Sequence, residues 1–346
     1  MRVPGAALAV LAGPMSFGIA GPALILGDVA AGLGASAEGV AWLVTVFGWG
    51  IALGTPLASW LLGYRGARVT GLVAGALALA GTLLVVAGPT LAPGGPEPVA
   101  NGPGLGLVLL GRALQALGAA GLSTAAMSLA GTPRRMGLAT ASLAVVGSVA
   151  PLVSSLVAGA LGWRAALALP VLSVLAVPAL LGQPTPADAR PRALAPAALL
   201  RSPSFVIASL LALGLAVVNF GLIYALPARF SGWTRAEVGA AMVWPLLFGG
   251  ALSWFVVAAS TRVRRGVTLT ALVAAGIAAA VTVTLTAWPP ALLVAQAAAS
   301  LAAASGQGVL AVQAADAAAE ADRPAAIGLF TLCYLLGVAF GPLLLA

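Results

Sequence analysis

The sequence predicts an all-α integral membrane protein built as two bundles of spanning helices. Three observations carry this. Of 346 residues, 61% are hydrophobic and only 7% are charged, whereas soluble domains run near a quarter charged. The apolar stretches recur along the whole chain. A Pro- and Arg-rich segment divides them into a set of six and a set of five. At roughly 30 residues per spanning helix and its loop, the length has room for about eleven or twelve spans. A soluble enzyme and a single-span anchor are both excluded.

Cutting the apolar stretches at Arg, Pro and Gly clusters places spans at 5–28, 39–63, 69–88, 104–130, 138–160, 166–182, 203–226, 238–260, 267–287, 291–314 and 325–346. Met1-Arg2 ahead of the first apolar run also fits a cleavable leader. Ten further spans follow, so the first is read as retained. The outer connection 89–103 (PTLAPGGPEPVANGP) is Pro/Gly-rich and reads as an irregular exposed loop. The longest inner connection, 183–202 (QPTPADARPRALAPAALLRS), reads as the linker between an N-terminal bundle, 1–182, and a C-terminal bundle of about five helices, 203–346.

Orientation follows from arginine, since the cytoplasmic side of a membrane protein carries the basic excess. With the N-terminus cytoplasmic, one side receives Arg2, Arg65, Arg68, Arg134, Arg135, Arg190, Arg192, Arg201, Arg262, Arg264, Arg265 and Arg323. The other receives Arg164, Arg229 and Arg235. One missed or extra span would scramble this twelve-to-three bias. Trp42, Trp163, Trp233 and Trp288 fall at outer ends, and Trp60 and Tyr64 at an inner one, as interfacial aromatics should.

The missing residue types narrow the chemistry. With no His, a His-based zinc site, a Ser-His-Asp triad and a kinase catalytic loop are excluded. One cysteine, Cys333, allows neither an internal disulfide nor a thiolate cluster. No metal or other cofactor is expected. The net charge of +8 marks one membrane face and implies no nucleic-acid partner, because no basic run exceeds a few positions.

Arg112 lies about two turns inside the fourth span, in GRALQALGAAGLSTAA. A guanidinium there costs on the order of 3 kcal/mol unless it faces a partner or a polar cavity. Gln115, one turn on, shares its face. Two readings stand open for Arg112: a clamp on the carbonyls of a neighbouring helix, or a polar group lining a transport path.

These residues also carry a resemblance. RALQALGAA, Arg112 to Ala120, resembles the fourth-helix motif Arg-x-x-Gln-Gly-x-Gly-Ala-Ala of the major facilitator superfamily, in the version common among its drug/proton antiporters, with Ala116 where Gly is usual. PLASWLLGYRGAR resembles that family's first cytoplasmic-loop motif. Gly66 and Arg68 match, while Gly63 and Tyr64 stand where an Asp-Arg pair is usual. GSVAPLVSSLVAG in the fifth span is similar to the antiporter motif Gly-x-x-x-Gly-Pro-x-x-Gly-Gly; Pro151 matches, and Ala150, Ser154 and Ser155 replace glycines. The eleventh span fits the same pattern with Gly337, Gly341 and Pro342. A motif shared by corresponding helices of two halves is an internal-repeat signature.

The resemblance implies a two-bundle fold of the major facilitator type whose first, fourth, seventh and tenth spans line a central cavity. Arg112, Gln115, Asn219, Tyr224 and Gln307 are then the candidate cavity residues, although helix-to-helix hydrogen bonding would account for each singly. It also implies twelve or fourteen spans, so eleven leaves the last helix of the second bundle missing. Proton coupling calls for a carboxylate or His of movable pKa. Asp28, at the outer end of the first span, is the candidate coupling acid, with solvation the plainer reading of so exposed a group. The function expected is a secondary transporter exporting small apolar or amphipathic compounds, monomeric in the cell membrane, with small molecules, protons and the bilayer as partners. Import of a nutrient or metabolite and a degenerate non-transporting protein are the alternatives.

Overall fold

A computed structural model of the protein describes residues 3–91, 103–130, 133–183, 199–260, 262–318 and 323–345. Every regular element among them is helical. Ten helical stretches among the described residues are long and apolar enough to cross a membrane. One of them, Glu38–Gly88, has 51 residues. At 1.5 Å per residue it measures about 75 Å, more than twice the thickness of a bilayer's hydrocarbon core. It breaks at Gly66 (φ 77°, ψ 175°) and so holds the second and third spans, which makes eleven candidate spans among the described residues.

The expected connection at 64–68 is therefore shorter than a loop. Helix runs up to Gly66 and resumes beyond it, and Thr70 closes the first turn of the third span by donating Oγ1 to the Gly66 carbonyl at 2.9 Å. A backbone at this φ/ψ is open to glycine and strained for any residue with a Cβ. Gly66→Ala is expected to cost about 2 kcal/mol, read as a lowered unfolding midpoint in detergent. Gly63→Ala in the adjoining helical turn, where an added Cβ meets nothing within 4 Å, should leave the midpoint in place.

The first span departs from a regular helix because of its prolines. Gly5–Ala12 and Met15–Ala20 are separated at Pro14, and a 3₁₀ turn, Gly21–Leu24, follows with Pro22 in its first turn. A further helical segment, Leu26–Leu33, ends at Gly34 in the left-handed region (φ 59°). Each proline lacks the N–H that the preceding turn would use. The sixth span begins at Trp163, earlier than the 166 read from hydropathy. Its 3₁₀ stretch Leu169–Leu180, with Pro170 near its start and Pro178 inside, has the same cause.

The chain divides into two compact units, Met1–Pro191 and Arg192–Ala346. Most of the segment read as the linker, 184–198, lies outside the described residues, as do most of the outer loop, 92–102, and Arg2, Arg190 and Arg192. In the first unit, the fourth span (Gly104–Ala130) is the hub. A Cβ added at Gly50 or Gly54 of the second span would run into Ala116 or Ala120. One added at Gly81 of the third span would lie 2.4 Å from the Gln115 nitrogen. Without a hydrophobic force between helices in lipid, close backbone approach through small residues supplies the packing. In the second unit, the seventh span (Pro203–Arg229) packs in the same way against the eleventh (Ala326–Leu343).

Candidate functional site

Arg112 is completely buried, and its guanidinium is held from three directions. Nη2 donates to the Gly18 carbonyl of the first span at 2.6 Å, and Nε donates to the Leu43 carbonyl of the second at 3.4 Å. Nη1 donates to Gln115 Oε1 at 3.1 Å. The guanidinium carbon sits 4.1 Å from the centroid of the Phe47 ring, within cation–π range. Gly18 makes the arrangement feasible. A Cβ there would fall 1.9 Å from the Phe47 ring, so the bare backbone leaves room for the ring and its carbonyl can reach the charge.

Gln115 extends the cluster to two further spans. Its Nε2 donates to Thr82 Oγ1 at 3.0 Å on the third span and to the Leu167 carbonyl at 3.1 Å on the sixth. Thr82 Oγ1 in turn donates to the Ala78 carbonyl at 2.7 Å. Two neighbouring side chains thus tie five spans of the first unit together. The bonds to Arg112 are charge-assisted, and the low dielectric around them strengthens each.

In the second unit, Gln296 of the tenth span donates Nε2 to Asn219 Oδ1 of the seventh at 3.0 Å, with both residues buried. Gln296 Oε1 and Ser305 Oγ are buried without a hydrogen-bond partner among the described residues. Tyr224 and Gln307 are half-buried on the same two spans. Near the ends of spans, Arg229 donates to the Val283 carbonyl at 3.0 Å, capping the ninth span (Arg265–Leu285), and Arg265 pairs with Asp316 at 2.9 Å. At the start of the first unit, Arg135 donates to the Val3 carbonyl.

The motif residues lie where backbones meet. Pro151 is buried inside the helix Pro133–Leu161. One turn on, Ser154 Oγ would lie 2.4 Å from a Cβ added to Gly21 of the first span, so the serine that stands for a glycine still permits a close crossing. In the second unit Gly341 stands before Pro342 as Ala150 stands before Pro151. A Cβ at Gly341 would come 2.8 Å from the Gly221 nitrogen, and Pro342 follows within the helix. Gly66 is the break already described, and Arg68 beyond it is exposed. Asp28 is half-buried in the first turn of Leu26–Leu33.

The profile of the Major Facilitator Superfamily matches residues 6–231, well over half of the chain. The chain belongs to the major facilitator superfamily. A bacterial homologue of the human lysosomal transporter Spinster, in an inward-facing and unoccupied conformation, is similar to this facilitator-family chain with a TM-score of 0.70 at 18% identity, covering 98% of this chain and 80% of that one. The same homologue in its occupied form gives 0.65 at 17%, covering 98% and 79%. A D-xylose-proton symporter gives 0.68 at 14%, covering 97% and 88%. No curated protein sequence matches. The fold is therefore that of a major facilitator transporter, and the chain is a multi-pass membrane protein.

Within this member of the superfamily, the structure unites Arg112 with Gln115 and places Asn219 against Gln296. Gln307, on the tenth span with Gln296, makes no hydrogen bond to that pair among the described residues. The partners that reading from sequence missed are Gly18, Leu43, Phe47, Thr82 and Leu167. Three of these contribute a backbone carbonyl, which leaves no mark in a sequence. Phe47 and Thr82 have side chains that are ordinary in an apolar span.

Proposed function

We propose that this chain is a secondary active transporter that exports small apolar or amphipathic compounds by alternating access, with proton antiport as its coupling. The observation that carries the reading is how the interior polar groups are used. Arg112 and Gln115 are bonded to Gly18, Leu43, Thr82 and Leu167 of their own unit, and Gln296 is bonded to Asn219 of its own. What the spans keep for a ligand is mainly apolar surface with a few hydroxyl and amide oxygens, such as Gln296 Oε1. Sites of that composition hold ligands by burial, with a few polar contacts setting orientation. A polar nutrient would ask for more uncommitted amides and carboxylates.

Arg112, Gln115, Asn219, Tyr224 and Gln307 are offered as the residues that border the substrate path, the first three shaping it through the bonds they already make, and Asp28 is offered for the proton. The fifth-span motif around Pro151 favours the antiporter subtype. The twelve-to-three arginine bias supports a cytoplasmic N-terminus; location in the cell membrane and a monomeric state belong to the same proposal. Cells expressing the protein are expected to lose at least one compound of a broad dye and antibiotic panel several-fold faster than cells without it. Collapsing the proton gradient should abolish the difference. Faster accumulation in place of loss would establish import. A panel in which nothing moves and no compound shifts the unfolding midpoint would establish a non-transporting protein.

A further inference from the structure

In the first unit, an apolar cleft opens between the second and third spans. Leu57, Ala58 and Leu61 form one wall, Thr70, Val73 and Leu77 the other, and Leu117 and Gly121 of the fourth span lie at its base. Its volume is about 130 Å³, well below the roughly 300 Å³ at which pockets for drug-sized ligands begin. The lining is almost wholly apolar, and the one hydroxyl, on Thr70, is already given to the Gly66 carbonyl. Leu57 and Val73 at the rim are 59% and 43% exposed.

The cleft ends at the Gly66 break, and the charge there is of one sign. Arg65 and Arg68 flank the glycine and are both exposed. Trp60 and Tyr64 stack at 5.7 Å, and the Arg65 guanidinium lies 5.0 Å from the Tyr64 ring. This is an aromatic and basic rim of the kind found at headgroup depth. Asp28 and Glu38 are the acids among the described residues of this unit. Glu38 opens the second span, about 40 Å of helix away from Arg65. Nothing acidic near the turn competes for the two guanidiniums among the described residues.

We propose that this cleft holds a segment of one acyl chain of an anionic phospholipid whose phosphate rests on Arg65 and Arg68. The chain fills a slot too narrow for a drug-sized ligand, and the headgroup meets two cations one helical turn from the slot's end. The site depends on the chain spanning a bilayer and not on transport, so it can fail while export succeeds, or the reverse.

The test is a lipid titration of the full chain in neutral detergent, read by native mass spectrometry, with dioleoyl phosphatidylglycerol, dioleoyl phosphatidylcholine and glycerol 3-phosphate as separate probes. Two arginines near a surface predict a preference of roughly 30-fold for the glycerol lipid over the choline lipid. In the R65Q/R68Q variant that preference should vanish. Ala58→Phe should weaken both lipids at least tenfold by filling the slot. Leu57→Asn at the exposed rim should do the same and serves where Ala58→Phe does not fold. A preference that survives R65Q/R68Q overturns the proposal. So does glycerol 3-phosphate displacing the lipid at equal concentration, or lipid binding that is unchanged by both slot variants.

Discussion

Arg112→Ala is expected to destabilise the first unit by about 4 kcal/mol, seen as a large fall in monodisperse protein and in the unfolding midpoint. The substitution removes charge-assisted bonds that each contribute about 1.5–3 kcal/mol and leaves buried acceptors without donors. The orphaned groups are the Gly18 carbonyl, the Leu43 carbonyl and Gln115 Oε1. Phe47 loses its cation as well. Arg112→Lys keeps the charge but not the planar fork, and one ammonium cannot serve three acceptors in different directions, so it should recover less than half of the loss. The same pair of variants separates the two roles open to Arg112. A clamp lowers the amount of folded transporter while the KM of what remains stays put. A substrate contact raises KM at unchanged stability.

Why the residue was legible and its partners were not follows from the energetics of the membrane interior. A charge within a span is rare enough that Arg112 stands out on cost alone, and Gln115 follows from helical spacing. The hydrogen-bond acceptors are backbone carbonyls, which every residue carries, so nothing in the sequence singles out Gly18 or Leu43. Asn219 was legible as a polar residue in the seventh span. Its pairing with Gln296 joins positions far apart in sequence, and either residue could equally have faced a cavity. Hydropathy found the eleven spans because a bilayer imposes one length on all of them. It could not see that the second and third are joined through Gly66 alone, since a short loop and a single glycine at positive φ are written with the same residues.

The seventh and eleventh spans provide the sharpest case of packing that tolerates no addition. Gly337 and Gly341 lie one turn apart on the eleventh span and face Leu213 through Gly221 of the seventh. A Cβ at Gly337 would stand 2.4 Å from the Leu213 carbonyl oxygen, and one at Gly341 would stand 2.9 Å from that of Val217. The obstructing atoms are backbone, so no rotamer change relieves the contact; the helices must separate. Separation forfeits the van der Waals contact that holds spans together in lipid, where no hydrophobic force replaces it. Gly337→Leu is therefore expected to cost 3 kcal/mol or more by the scale of overpacked cores, about 1–3 kcal/mol and occasionally higher. The loss should appear as early unfolding of the second unit, with proteolysis or hydrogen exchange rising first along the seventh and eleventh spans. Gly328→Leu, on the same span where an added Cβ meets nothing within 4 Å, supplies the control and should leave both readouts unchanged. Equal effects from the two substitutions would show that bulk on the eleventh span, and not its approach to the seventh, is what the bundle rejects.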